Sequence, residues 1–382
     1  MNPAIEAAFA VTLQRISYPG WAPDFFTPRA VVGPEFDTLE VLPEPGHLSQ
    51  VQQQLLAALR AIKPKFKLAV LTMMCNDAPY IAEFVAHYRV MGAERIFVYT
   101  NDNSDSTYEV LRWFEANGLV TVLPMVTAGK IHIQRKNYHH ALYLLPELRL
   151  FEWVAVVDSD EFLLPDARYG HNLSAMLDAA PADVEAILFP WHWRLGPVSF
   201  EPVPGLLAER YVHANQWDHA KSVIRLRHVR SLHQLHYPYF DGVFQLHDTM
   251  FDRVVGDADR ADRRCTGAGG WTEHFWGKSF AEYVVKKQRG DAPAALDSAK
   301  SFAREYKTYF EWSQACTPDN YAPWPEAVLA GTKAWLARFA GRPGYAALQA
   351  KWEADFAAHV AATRGDSEMR RMFAEMQALI PR

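Results

Sequence analysis

The sequence predicts an α/β fold: a mixed, mostly parallel sheet flanked by helices, followed by a mainly helical C-terminal region. Three observations carry this expectation. Between residues 66 and 157, apolar runs of strand length alternate with segments of helical period. The connections are short, as in sheets wound with helices. Polar turn residues recur at the ends of the apolar runs, where such a sheet opens its ligand crevice.

Each element follows from local chemistry. Residues 17–46 hold six prolines together with Gly20, Gly33 and Gly46, which favours an extended arm. A helix is expected over 49–63, where Val51, Leu55, Leu56 and Leu59 share one face and Pro64 closes the segment. "FKLAVLTMM" reads as a strand, "YIAEFVAHYRVMG" as a helix stopped by Gly92, and "RIFVYT" as a strand. "TYEVLRWFEANG" is then a helix ending at Gly118, and "LVTVLPM" a strand. A longer helix over about 132–149 leads into the strand "FEWVAVV". Strands at "EAILFPWHW" and "KSVIRLRHV" follow, and from about residue 278 the chain reads as helical and Ala-rich. The division expected is an arm and helix over 1–64, the α/β domain over 65–291, and a helical region over 292–382.

At 382 residues, 49% hydrophobic, the chain can bury a large core. Its 39 Lys and Arg against 44 Asp and Glu give a net charge of -5, which excludes the broad basic field of a generic nucleic-acid binder. Three widely spaced cysteines, Cys75, Cys265 and Cys316, match no zinc spacing and point to reduced thiols in a cytoplasmic setting. The N-terminus lacks a secretory leader, and no run is long enough to span a membrane. Trp and Tyr are plentiful enough to serve a shallow contact at the inner face of a membrane.

Three polar strand ends are candidate sites. In "VVDSDEF", Asp158 and Asp160 lie two residues apart, so on an extended segment both carboxylates project to one side, a geometry suited to Mg²⁺ or Mn²⁺. The alternative is an acidic cap on a turn, but Asp158, Asp160 and Glu161 would then repel one another without a compensating cation. In "MMCNDAPY", Asn76 and Asp77 either cap a helix or hydrogen-bond a base or ribose. In "YTNDNSDST", Asn101, Asp102 and Asp105 are turn formers, yet three such ends converging on one sheet edge favour a nucleotide site.

These motifs in this order, with "WTEHFWGKSFAEYVVKKQRGD", resemble the bacterial glycosyltransferase family 2-like proteins related to the family 92 enzymes, over about residues 66–291. The resemblance implies a GT-A fold, a Rossmann-like domain that binds a nucleotide-sugar and holds a divalent metal on the diphosphate through a D-x-D motif. Matched position by position, it puts Asn76 and Asp77 at the base or ribose, with Cys75 where the family has Arg. Asn101, Asp102 and Asp105 match the family's N-D-x-x-D turn, with Ser106 in place of Gly. Asp158 and Asp160 match D-x-D, which puts Asp158 toward the ribose or the metal and Asp160 toward the metal. His274 becomes a metal or diphosphate contact, in a segment where Glu273 and Phe275 replace the usual Asn and Tyr. The function implied is metal-dependent transfer from a nucleotide-sugar, a UDP-sugar foremost, to a glycan or glycoconjugate acceptor such as a cell-surface polysaccharide.

Sugar transfer places negative charge on the leaving phosphate and oxocarbenium character on the sugar. Lys221, Lys278 and the run Lys286-Lys287 are the cations available to the phosphate, although a charged run on a helix usually faces water. Asp241 and Glu273 are candidate general bases for the acceptor hydroxyl. Trp191, Trp193, Trp217, Trp271 and Trp276 are available to stack on sugars, with burial in the core as the alternative. Two rival functions stand beside this one. A haloacid-dehalogenase-like phosphatase would use Asp158 as nucleophile, with "VVGDADRAD" as a late acidic motif, but Phe162 occupies a Thr or Val position and three strand-helix units precede the motif. A non-catalytic carbohydrate-binding protein would explain the aromatic density but not D-x-D.

Overall fold

The computed structural model describes residues 56–125, 133–196, 199–232, 236, 238–240, 246–254, 265–288 and 316–378, with Ala4 and Ala7. The alternation expected after residue 66 is present. β1 (Phe66–Met74), β2 (Arg95–Thr100), β3 (Val120–Pro124) and β4 (Phe151–Val156) lie parallel in the order β3-β2-β1-β4. Their burial on both faces explains why they read as near-continuous apolar runs.

α1 (Ala78–Val90) and α2 (Thr107–Ala116) cover one face through Ile81, Phe84, Val85, Val110, Leu111 and Phe114. Gly92 ends α1 at φ +88°, and a Cβ there would lie 2.6 Å from Ser174 Cβ, so only glycine fits the stop. α3 (Ile133–Leu144) covers the other face with Tyr138, Ala141 and Leu142. It ends earlier than periodicity suggested, because Pro146 opens a 3₁₀ turn.

Beyond β4 the sheet turns mixed. β5 (Glu161–Pro165) precedes α4 (Leu173–Ala179), β6 (Ala186–Leu195), α5 (Leu207–Arg210) and β7 (His213–Arg225). β8 (Val229–Ser231) and β9 (Tyr239–Phe240) form a separate pair. β10 (Leu246–Asp248) and β11 (Gly270–His274) both lie parallel to β6, and among the described residues the main sheet then has nine strands, continuing β4-β7-β6-β11-β5.

That order fixes the shape. β4 and β5 are four strand steps apart, which in a flat sheet would be ~19 Å. Only residues 157–160 join them, at most ~17 Å even if extended, and they form a turn in which Glu161 N–H donates to the Asp158 carbonyl at 3.1 Å. The second half of the sheet must therefore curl back, bringing the ends of β4 and β11 beside the start of β5.

The C-terminal helices share this core. α6 (Phe280–Gln288) precedes them, and α7 (Glu326–Ala340), α8 (Tyr345–Gly365) and α9 (Ser367–Ala378) pack over α1, α2 and α6. Trp324 meets His87, Phe162 and Phe275, while Phe339 and Tyr345 meet Phe114 and Trp113. Of the helix expected over 49–63, residues 56–63 are described: 56–60 are helical, and the helix ends in a turn at Ala61, earlier than expected. No helix among the described residues is long and apolar enough to cross a membrane.

Candidate functional site at the carboxyl ends of the strands

The three polar strand ends meet at one edge of the sheet, as parallel β2, β1 and β4 require. The first two loops are stapled together. Asn76 Nδ2 donates to Ser104 Oγ at 2.9 Å, and Ser104 N–H donates to Asn76 Oδ1 at 2.8 Å. Asp105 accepts from the N–H groups of Ala78 and Thr107, so it caps the starts of α1 and α2. Asp77 Oδ2 accepts from Cys75 N–H. Asn76 and Asp102 hold positive φ, +52° and +43°, which the short polar side chains tolerate. Asn101 is buried, and its Oδ1 has no hydrogen-bond partner among the described residues.

The acids after β4 occupy a turn, not the extended segment expected from their spacing, and their compensating cations are lysines. Lys221 Nζ, buried on β7, donates to Asp158 Oδ2 at 2.8 Å and lies 3.3 Å from Glu161 Oε2. Gln134 donates to Asp158 Oδ1 at 2.6 Å. Lys286 Nζ on α6 donates to Asp160 Oδ2 at 2.5 Å, and His274 Nε2 lies 3.7 Å from Asp160 Oδ1. Burial opposes ionisation of both aspartates, but Lys221 holds Asp158 below the usual carboxylate range, and Lys286 with His274 hold Asp160 well below it.

Glu161 differs. Buried completely, and beside the charges of Asp158 and Asp160, it rises to about 8 despite Lys221, so it keeps its proton at neutral pH. Its Oε2 accepts from Asp158 N–H at 2.8 Å and fixes the turn.

A pocket opens beside these acids. Asn76, Asp77, Tyr80 and Asp105 line one side, Lys278, Glu282 and Lys286 a second, and Trp352, Phe356 and His359 of α8 a third. Lys278, at φ +41°, sets its ammonium 3.8 Å from the Tyr80 ring, and burial lowers it to about 8. Lys286 and Lys287 do not form a solvated face. Lys286 points to Asp160, and Lys287 lies against Trp276 and Tyr283. Tyr80, Glu282 and the α8 wall had no sequence signal, because each joins the site from an element whose docking is set by tertiary packing.

Two expected residues are engaged elsewhere. Lys221 serves as counter-ion behind the acids, its ammonium already engaged by the Asp158 carboxylate and packed against the Glu161 carboxyl group. Glu273 faces away from His274, its neighbour on β11, because successive side chains alternate. It pairs with Arg194 on β6 and is held at about 2 despite burial, so it is not placed to take a proton at the Asp160 side. Asp241 lies outside the described residues.

The aromatic residues divide between core and surface. Trp193 stacks between Trp217, at 4.4 Å and 5°, and Trp276, at 5.6 Å and 4°. Trp217 is 38% exposed, and Trp276 lies 5.7 Å from the Lys286 ammonium. The ladder thus runs from solvent to the Lys286–Asp160 pair, with Trp191 4.4 Å from His274 beside it. Trp271 stacks on His192 on the opposite face.

Among the described residues no group of three or more His, Cys, Asp and Glu side chains is close enough to hold a metal. The donor chemistry at Asp160 and His274 nevertheless suits a divalent ion completed by ligand or water oxygens. One ionised carboxylate and one imidazole, which burial holds below its usual range, converge from two elements. His274 Nδ1 is buried with no hydrogen-bond partner among the described residues.

Residues 70–248 match the profile of glycosyltransferase family 92, a span that contains all three strand ends. A glycosyltransferase family 92 protein of Ricinus communis is 32% identical over 123 residues, which cover 31% of this chain and 19% of that protein. The chain therefore spans about a fifth of that relative's length. Among solved structures, Staphylococcus aureus TarS 1-349 is 13% identical, with 78% of this chain and 92% of that one covered and a TM-score of 0.30. The mannosyltransferase PcManGT of Pyrobaculum calidifontis, solved with GDP-Man and Mn²⁺, is 13% identical, with 98% and 95% covered and a TM-score of 0.26. Both scores fall below the level at which a shared fold follows.

Proposed function

We propose that the chain transfers a sugar from a nucleotide-sugar donor to a glycan-type acceptor, using a divalent ion at the turn after β4. The observation that carries this reading is the convergence of Asp160, His274, Lys278 and Lys286 beside the polar ends of β1 and β2. A diphosphate needs cations and a nucleoside needs polar acceptors, and both are within one crevice. The match of residues 70–248 to glycosyltransferase family 92 supports the same reaction class.

In this reading the buried Oδ1 of Asn101 accepts from the base or ribose, while Asn76 and Asp105 hold the two loops that frame it. Asp160 and His274 would hold Mn²⁺, for which a mixed oxygen and nitrogen set is better suited than for Mg²⁺. The ion supplies charge stabilisation to the leaving diphosphate. Lys278 and Lys286, which line the same pocket, would add cationic donors to it. Asp158, fixed by Lys221 and Gln134, positions the turn.

Thermal unfolding with UDP, GDP and CMP, each with and without Mn²⁺, tests the proposal. Metal-dependent stabilisation by a nucleoside diphosphate is expected. Stabilisation by none of them sinks it, and phosphatase activity on a simple ester that Asp158→Asn abolishes would replace it with a phosphomonoesterase.

A further inference from the structure

At the opposite edge of the sheet, where β1 and β4 begin and β7 ends, a cavity of about 340 Å³ is lined by Arg60, Arg149, Arg225 and Arg227, with Glu152 as the carboxylate on its wall. The length of β4 separates it from the acidic turn, about 20 Å at strand rise. Arg225 and Arg227 have counter-ions. Arg225 pairs with Glu152 at 3.4 Å, and Arg227 Nε donates to Glu185 at 3.0 Å.

Arg149 has none among the described residues. It is 3% exposed, donates to the carbonyls of Leu226 and Leu142, and has a buried Nε without a partner. Burial, and then the charge of the Arg60 guanidinium, lower it to about 9. Buried charges in folded proteins are paired, since a buried charge left unpaired is strongly unfavourable. A guanidinium that faces a cavity and another guanidinium is therefore half of an interaction.

We propose that this cavity binds an oxyanion of the phosphate class, which supplies the negative charge that Arg149 lacks, with Arg60, Arg225 and Arg227 at the rim. Guanidinium forks match tetrahedral oxyanions and hold them through paired N–H donors. The source of the phosphate is either a small solute or the headgroup of an anionic lipid. The proposal does not depend on the glycosyltransferase reading, since no residue is shared with the crevice at the other edge.

Thermal unfolding of the full chain in inorganic phosphate, against sodium chloride at matched ionic strength, reads the site directly, because a ligand of the folded state raises Tm. A phosphate-specific rise of a few degrees is expected. Arg60→Gln with Arg227→Gln, two rim changes that leave buried Arg149 intact, should remove it. Lys278→Met, in the other crevice, should retain it.

A second arm measures co-sedimentation with phosphatidylcholine vesicles, with and without phosphatidic acid. Binding that needs phosphatidic acid and is lost in the double variant identifies the headgroup as the source. A thermal response to free phosphate alone identifies a solute. Neither response, or a response that the double variant keeps, overturns the proposal.

Discussion

Lys286 on α6 donates to Asp160, 126 residues earlier in the chain, at 2.5 Å, and so occupies the carboxylate that a divalent ion would need. An ammonium and a metal ion compete for the same carboxylate charge. Lys286→Met is therefore expected to bind Mn²⁺ more tightly than the parent chain in the absence of nucleotide. Titration calorimetry with Mn²⁺ alone checks this, and unchanged or weaker affinity would remove the competition.

Asp160→Ala takes away the oxygen donor itself. Loss of the Mn²⁺-dependent thermal shift is expected, with transfer kcat/KM falling roughly a hundredfold or more, about 3 kcal/mol of transition-state stabilisation. Steady-state kinetics on the donor and acceptor found for the parent chain would detect it.

Glu161 makes stability depend on pH. Its pKa is about 8 in the folded chain against 4.5 unfolded, so the folded state binds the extra proton between those values. Its contribution is full below about pH 4.5 and is lost as pH rises through about 8. Glu161→Gln, which keeps an acceptor for Asp158 N–H, should flatten the fall of Tm between pH 5 and pH 8. A parallel fall in both chains would show that Glu161 is ionised in the fold.

Lys278 is expected to govern the alkaline limb of donor binding. With its ammonium lowered to about 8, it loses charge as pH rises through that value, and diphosphate affinity should decline with it. Lys278→Arg keeps its charge well above that range and should remove the decline. Nucleoside diphosphate affinity measured across pH 7 to pH 9.5 for both proteins decides the matter.

In the proposed reaction Trp217, the exposed end of the tryptophan ladder, would serve as the platform for an acceptor sugar. Trp217→Ala is expected to raise acceptor KM by roughly 3- to 10-fold, the range of one aromatic stacking contact, and to leave hydrolysis of the donor unchanged. Equal losses in both assays would make the residue structural.

The sequence disclosed the first half of the sheet because its strands and helices differ in period, and Gly92, Gly118 and the polar turns mark the ends. β5 and β11 escaped notice. "EFLLP" and "GWTEH" are five residues each and carry no period, and their pairing depends on the curl of strands elsewhere. Asp158 and Asp160 were legible as neighbouring acids at a strand end, but their partners were not. Lys221 and Lys286 are 63 and 126 residues away, and no local pattern distinguishes a lysine that turns inward from one that faces water. The α8 wall was hidden for the same reason, since Trp352 and His359 read as ordinary positions of an Ala-rich helix.

The curled sheet has a mechanical consequence. β4 and β5 are joined twice, through the hydrogen-bonded ladder β4-β7-β6-β11-β5 and through the peptide chain of residues 157–160. The second half of the sheet is thus a closed circuit with the acidic turn as its clasp. Such a circuit cannot gape without breaking a strand pair, so a ligand entering between Asp160 and α6 must displace the helix, not part the strands.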